Sequence, residues 1–250
     1  MKISVQSNLE PVRRQLGALR DQVPFATALA LTKTAQAAQV SVRQEMVRVF
    51  DRPTPFTLAS TFVRSATKAK LEAAVYLKTG GNKEGGNAQD RLGHQVLGGQ
   101  RRFKRMEGAL RQAGLLGNGE QAVPGKAAEL DSYGNMSRGQ ITQILAWFQA
   151  FPEAGYKANS TQATRAKRAA GKAGKKYGTR FYYKRDRPGR GIYKATQTGF
   201  GSAIQPVLMF VRRATYRQLL DMPGVVERTA REQFPAWFRD ALQSAMRTAR

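Results

Sequence analysis

Three features of the sequence predict an α+β fold in which an antiparallel sheet is packed by N-terminal and C-terminal helices. Apolar residues recur at three or four over residues 25 to 49 and at four over residues 226 to 246. Period-two alternation marks residues 71 to 77. Aromatic or β-branched runs flank a turn signal at Asp186-Arg187-Pro188-Gly189.

Along the chain, Ile3 and Val5 alternate with Lys2, Ser4 and Gln6 as in a short strand. Leu9, Val12, Leu16 and Leu19 predict a first helix, which Val23-Pro24 is expected to break, since proline suits the first turn of a new one. Phe25, Ala28, Leu31, Ala35, Ala38, Val42, Met46 and Val49 mark a second, long helix ending before Asp51-Arg52-Pro53. Phe62-Val63-Arg64 and the Leu71 to Leu77 alternation form a hairpin. The Gly-, Asn- and Gln-rich residues 79 to 99 read as a loop.

Helical spacing returns at Phe103, Met106, Leu110 and Ala113, with Gly114 as the stop. Ser137 and Gln140 have the spacing of a capping box before Ile141, Ile144, Leu145 and Phe148, and Pro152 closes that helix. Residues 156 to 177 hold little that is bulky enough to anchor a core, so they are expected to be exposed or disordered alone. Thr179 to Lys184 and Gly191 to Ala195 predict a second hairpin. Val207-Leu208-Met209-Phe210-Val211 predicts a central strand. Val226, Ala230, Phe234, Phe238, Leu242 and Met246 predict the last helix, kinked or divided at Pro235. The expected organisation is a core domain made of residues 1–78 and 179–250, interrupted by a helical, partly flexible basic insertion at 79–178.

Charge narrows the function. Lys and Arg number 42 against 17 Asp and Glu, a net charge of +25 that costs self-repulsion in a compact chain. A polyanion or an acidic protein partner relieves that cost. The basic side chains concentrate between residues 157 and 194, opposed there only by Asp186 and interleaved with Tyr177, Phe181, Tyr182, Tyr183 and Tyr193. Arg165, Lys167, Arg168, Lys172, Lys175, Lys176, Arg180, Lys184, Arg185, Arg187 and Arg190 are the candidate contacts to phosphate or carboxylate. The bland alternative is a solvated surface with the aromatics turned inward.

Catalysis finds little support. Without cysteine there is no disulfide, thiolate nucleophile or thiolate metal site. The one histidine, His94, falls in the Gly-rich segment and reads as a solvated loop residue. Asp51, Glu72, Asp90, Glu107, Glu129 and Asp131 lack the clustering a two-metal nuclease needs. The Gly-Gly pairs do not match a phosphate-binding loop, and no helix-turn-helix or zinc-finger pattern occurs. No catalytic, metal or cofactor residues are assigned, and the chain is not expected to be an enzyme. With no apolar core in Met1 to Val5 and no membrane-length apolar run, it is expected to be soluble and made in a cytoplasm.

The opening strand and helix, the segment Val23-Pro24-Phe25-Ala26-Thr27-Ala28-Leu29-Ala30-Leu31-Thr32-Lys33-Thr34-Ala35, the Pro55-Phe56-Thr57 to Leu77 hairpin, and the Pro206 to Val211 strand with its following helix resemble minor tail and tail-completion proteins of tailed bacteriophages, the minor tail protein Z type above all. The resemblance covers roughly residues 1 to 78 and 200 to 250. It implies a structural virion protein at the head-to-tail junction or tail. Such a protein assembles as a homo-oligomeric ring and contacts portal, adaptor or tail proteins and, non-specifically, DNA. Its place would be the host cytoplasm during assembly and then the virion, with no membrane partner. The long middle insertion departs from the family. The rival reading is a free basic nucleic-acid-binding protein.

Overall fold

The computed structural model describes residues 10–79, 87–151, 159–170, 179–198 and 201–248. The fold is α+β, and its described residues divide into two compact units, Met1–Gly98 with Arg217–Arg250, and Gly99–Tyr216. The expected strand at residues 2 to 6 lies outside the described residues.

In the first unit, helix α1 (Glu10–Val49) packs on the C-terminal helix α7 (Met222–Thr248). Both cross a proline without ending. The expected break at Val23-Pro24 therefore does not occur, and Pro235 does not divide α7. An interior proline costs a helix about 3 kcal/mol, and a long packed face offsets that loss. Along α1 the buried line includes Ala28, Ala35, Ala38, Val42 and Met46, as the spacing predicts, whereas Phe25 is 40% exposed. Ala26 and Ala30 meet Ala241 of α7, with Phe234, Trp237 and Phe238 around them. Further along, Val42 and Met46 pack with Leu77, Val96, Leu220 and Val225. On α7 the deepest line after Met222 is Val225, Thr229, Ala241 and Ala245, one residue off the predicted stripe.

Thr54 caps a short helix α2 (Pro55–Leu58) by accepting from the Thr57 N–H at 3.1 Å. The predicted hairpin follows as β1 (Thr61–Arg64) and β2 (Ala74–Leu77), antiparallel, with Phe62 opposite Tyr76. Helix α3 (Ala88–Leu97) replaces the loop expected there. Asn87 caps it, accepting from the Gln89 N–H at 3.0 Å, and Ala88 and Val96 are its buried anchors. Ala88, Leu92 and Val96 do recur at four, but the Gly-, Asn- and Gln-rich residues around them hide so short a period.

The second unit begins and ends side by side, because β3 (Gly99–Gln100) pairs antiparallel with β8 (Thr215–Tyr216). Helix α4 (Arg105–Gln112) ends before Gly114, whose φ of 72° is the left-handed stop the sequence suggested. Strand β4 (Glu120–Pro124) follows, which no sequence pattern announced. In helix α5 (Arg138–Trp147) Ser137 accepts from the Gln140 N–H at 3.1 Å, as expected of its cap. The Gln140 side chain does not return to the cap. It turns inward, accepts from the Glu129 N–H at 2.8 Å and donates to the Ala127 carbonyl at 3.1 Å.

Between residues 156 and 177, helix α6 (Gln162–Ala170) is formed, capped by Thr161 through the Thr164 N–H at 3.1 Å, and none of its residues is buried, in keeping with the exposed alternative expected for this tract and not with the disordered one. The remainder of that tract, residues 171–178 and up to 158, lies outside the described residues. Strands β5 (Thr179–Lys184), β6 (Gly191–Thr198) and β7 (Gly201–Arg212) complete a four-stranded antiparallel sheet in the order β4-β7-β6-β5. Residues 207 to 211 thus lie on a central strand, as their continuous apolar run predicts, although Val211 is 38% exposed. Leu110, Leu145, Phe181, Ile192, Leu208 and Phe210 form the core between this sheet and its helices.

One organisational expectation is corrected. The hairpin at residues 61–77 and the strands at 179–212 do not share a sheet. An insertion does interrupt the first unit, but it runs from Gly99 to Tyr216 and takes the later strands with it, because β7 finds its outer partner in β4.

Candidate polyanion-binding surface

The basic tract is built on the β5–β6 hairpin and on α6, which packs against β5. Alternation along β5 sends Phe181 and Tyr183 toward the core and leaves Arg180, Tyr182 and Lys184 exposed on the opposite face. Phe181 meets Trp147 edge-on at 5.8 Å, and Tyr183 meets Phe210 at 6.2 Å. Two of the three aromatics on β5 therefore face the core. Tyr182 does not.

The cations fall into two groups. Arg190 is turned inward, its Nη2 donating to the Tyr183 hydroxyl at 2.9 Å and the Leu115 carbonyl at 3.3 Å, while its Nη1 lies 3.4 Å from Glu120 Oε1. Arg187 donates to the same carboxylate oxygen at 2.9 Å. Burial alone would raise the Glu120 carboxyl, but the Gly117 N–H and the two arginines outweigh it and hold Glu120 below the usual range. Arg165 donates to the Trp147 carbonyl at 3.2 Å, and Arg168 approaches the Ser160 hydroxyl at 3.4 Å. These four fasten the unit together.

Lys167, Arg180, Lys184 and Arg185 are exposed, and their side chains make no hydrogen bond or ion pair among the described residues. They are the cations of the tract that no described acid neutralises. Lys172, Lys175 and Lys176 lie outside the described residues. The tract is also less unopposed than its sequence suggests, since Glu120 pairs with Arg187 and Arg190, and Glu129 with Lys194 at 3.2 Å. Both acids come from about 65 to 70 residues away in the chain, so no local reading finds them.

A second basic cluster escaped the sequence reading. Two guanidinium groups lie over the Phe103 ring, that of Arg111 at 4.1 Å from its centroid and that of Arg213 at 4.4 Å. Beside it Arg101 is buried against Glu107. The only sequence signal is the density of arginine around Phe103.

His94 sits in the last turn of α3 and not in a loop, with its Nε2 3.0 Å from the Gln95 side-chain nitrogen. Among the described residues no three His, Asp or Glu side chains stand close enough to hold a metal ion, and no helix is long and apolar enough to cross a membrane.

Comparison with protein-family models, curated proteins and solved structures found no match to this chain.

Proposed function

We propose that this chain is a structural virion protein of a tailed phage, placed at the head-to-tail junction or in the tail. It assembles there as a homo-oligomeric ring against portal, adaptor or tail proteins and touches DNA without sequence preference. The observation that carries the binding part of this reading is the division of the cations. Arg187 and Arg190 share the Glu120 carboxylate, whereas Arg180, Lys184 and Arg185 stand exposed beside them without acidic partners among the described residues. On a chain of net charge +25, such an array favours a polyanionic or acidic surface through neutralisation and counterion release. The assembly part rests on the resemblance of residues 23–35 and 55–77, which belong to the long helix and the hairpin of the first unit.

The rival reading, a free basic nucleic-acid-binding protein, is favoured by the same exposed cations. Light scattering and negative-stain images of the purified chain at moderate salt separate the two. A closed ring of uniform copy number is expected. A species that stays monomeric at every concentration and binds DNA with a steep salt dependence would sink the virion reading.

A further inference from the structure

The outer face of the four-stranded sheet carries a pattern that charge neutralisation alone does not require. Arg180, Tyr182 and Lys184 share that face of β5, and antiparallel register sets Tyr182 opposite Tyr193, Lys184 opposite Gly191 and Arg180 opposite Ala195. Tyr193 is held in place, its hydroxyl donating to the Gly189 carbonyl at 2.6 Å. Tyr182 is 46% exposed. Across the sheet the same face continues through Ile204, opposite Ala195 and 62% exposed, and Pro206, opposite Tyr193. None of these residues is acidic. The face is aromatic and apolar at its middle and cationic along the β5 edge.

We propose that this face binds single-stranded nucleic acid, with a base stacked on Tyr182 and neighbouring phosphates neutralised by Arg180 and Lys184. Four residues of strand separate the two cations by about 13 Å, with the tyrosine between them. A strand laid along β5 therefore meets charge, ring and charge in succession. An unpaired base has a free π-face to offer that ring, and every base has one, so the contact is sequence-tolerant. A duplex buries its base faces in its own stack and can use only the cations. An acidic peptide such as polyglutamate likewise satisfies Arg180 and Lys184 but has no aromatic face to stack on Tyr182. The proposal rests on the polyanion-binding part of the reading above and goes beyond it by choosing a single strand.

The test measures anisotropy of a labelled oligothymidylate and of the matching duplex, titrated with the full chain and with Tyr182→Ala, Tyr182→Leu and Tyr182→Phe. Because Tyr182 lies on an exposed face, thermal melting of each variant should match that of the parent chain. Tyr182→Ala should weaken single-strand binding about five- to a hundred-fold and leave duplex binding nearly unchanged. Leucine, which keeps apolar area without a π-face, should fail to restore it, and phenylalanine should succeed. Equal loss on both nucleic acids, no loss on either, or rescue by leucine would overturn the proposal. So would polyglutamate binding that depends on Tyr182 as strongly, which would assign the face to an acidic protein. Light scattering on the same samples keeps the two readings apart. Ring formation with no role for Tyr182 removes this proposal alone, and stacking without ring formation removes the virion reading alone.

Discussion

Arg101 grips Glu107 with both arms of its guanidinium, Nη1 to Oε2 at 2.8 Å and Nη2 to Oε1 at 2.6 Å, with the carboxylate wholly buried. The same carboxylate accepts from the Lys104 N–H at 2.7 Å, at the start of α4, and from the Ala122 N–H at 2.9 Å, on the edge strand β4. One acid therefore joins the β3 region, a helix start and the open edge of the sheet. Truncating one partner of a buried ion pair leaves the other charge stranded, at about 3 to 5 kcal/mol. Glu107→Ala should lower the free energy of unfolding by that amount, read as a fall in the urea midpoint at unchanged m, and an unchanged midpoint would mean that the pair does not hold the unit together.

The same residue sets an acid limit on stability. Burial would raise the Glu107 carboxyl, but the Arg101 fork and the Lys104 and Ala122 N–H groups together hold it below the usual range. Glu120 is depressed as well. A carboxyl lowered in the folded state contributes stability that is complete above its unfolded pKa of about 4.3 and is lost as pH falls through the folded value. Urea midpoints should be level from neutral pH to about 5.5 and should drop below about 4.5. The drop should be shallower in Glu107→Gln. A midpoint that rises with acidification would contradict this assignment.

How far the sequence could be read depends on whether the signal was local. The hairpin at residues 61–77, the Ser137 cap, the Gly114 stop and the interior strand at 207–211 all announce themselves within a few residues, and each is present. The misses share a cause. Glu120 opens a strand whose partner, Arg212, lies far along the chain, and α3 is held by two small anchors and a cap. Pro24 and Pro235 carry strong local stop signals that long-range packing of α1 on α7 overrides. The cations were legible as a group, but not their division, because Glu120 and Glu129 arrive only through the fold.

Burial also revises what the two aromatic clusters are worth. Phe181 is 5% exposed and packed on Trp147, so Phe181→Ala should cost roughly 3 to 5 kcal/mol. Phe234 and Phe238 stack on one another at 5.8 Å, yet both are only half-buried on the margin of the α7 face. Alanine at Phe238 should cost about half as much, roughly 1.5 to 2.5 kcal/mol. Chemical denaturation of the two variants decides the order. If Phe238→Ala proved the more damaging, the buried line of α7 would have to run along the predicted stripe after all.

The division of the cations makes the last prediction. Replacing Arg180, Lys184 and Arg185 together by Gln removes three exposed charges that hold nothing in place. Stability should therefore shift by no more than about 0.5 kcal/mol. Affinity for a single-stranded polyanion should fall, and the slope of log K against log salt should flatten by about 2, since each phosphate neutralised contributes about 0.7 on a single strand. Replacing Arg187 and Arg190 should do the reverse. Their loss strands the Glu120 carboxylate, which is 5% exposed, and the Arg190 change also deprives Tyr183 and the Leu115 carbonyl of a donor. That double variant should lose roughly 1 to 3 kcal/mol with a smaller change in salt slope. One melting series and one salt titration on both variants separate the roles. Equal slopes in the parent chain and the triple variant would leave Arg180, Lys184 and Arg185 as solvated surface and remove the binding role assigned to them.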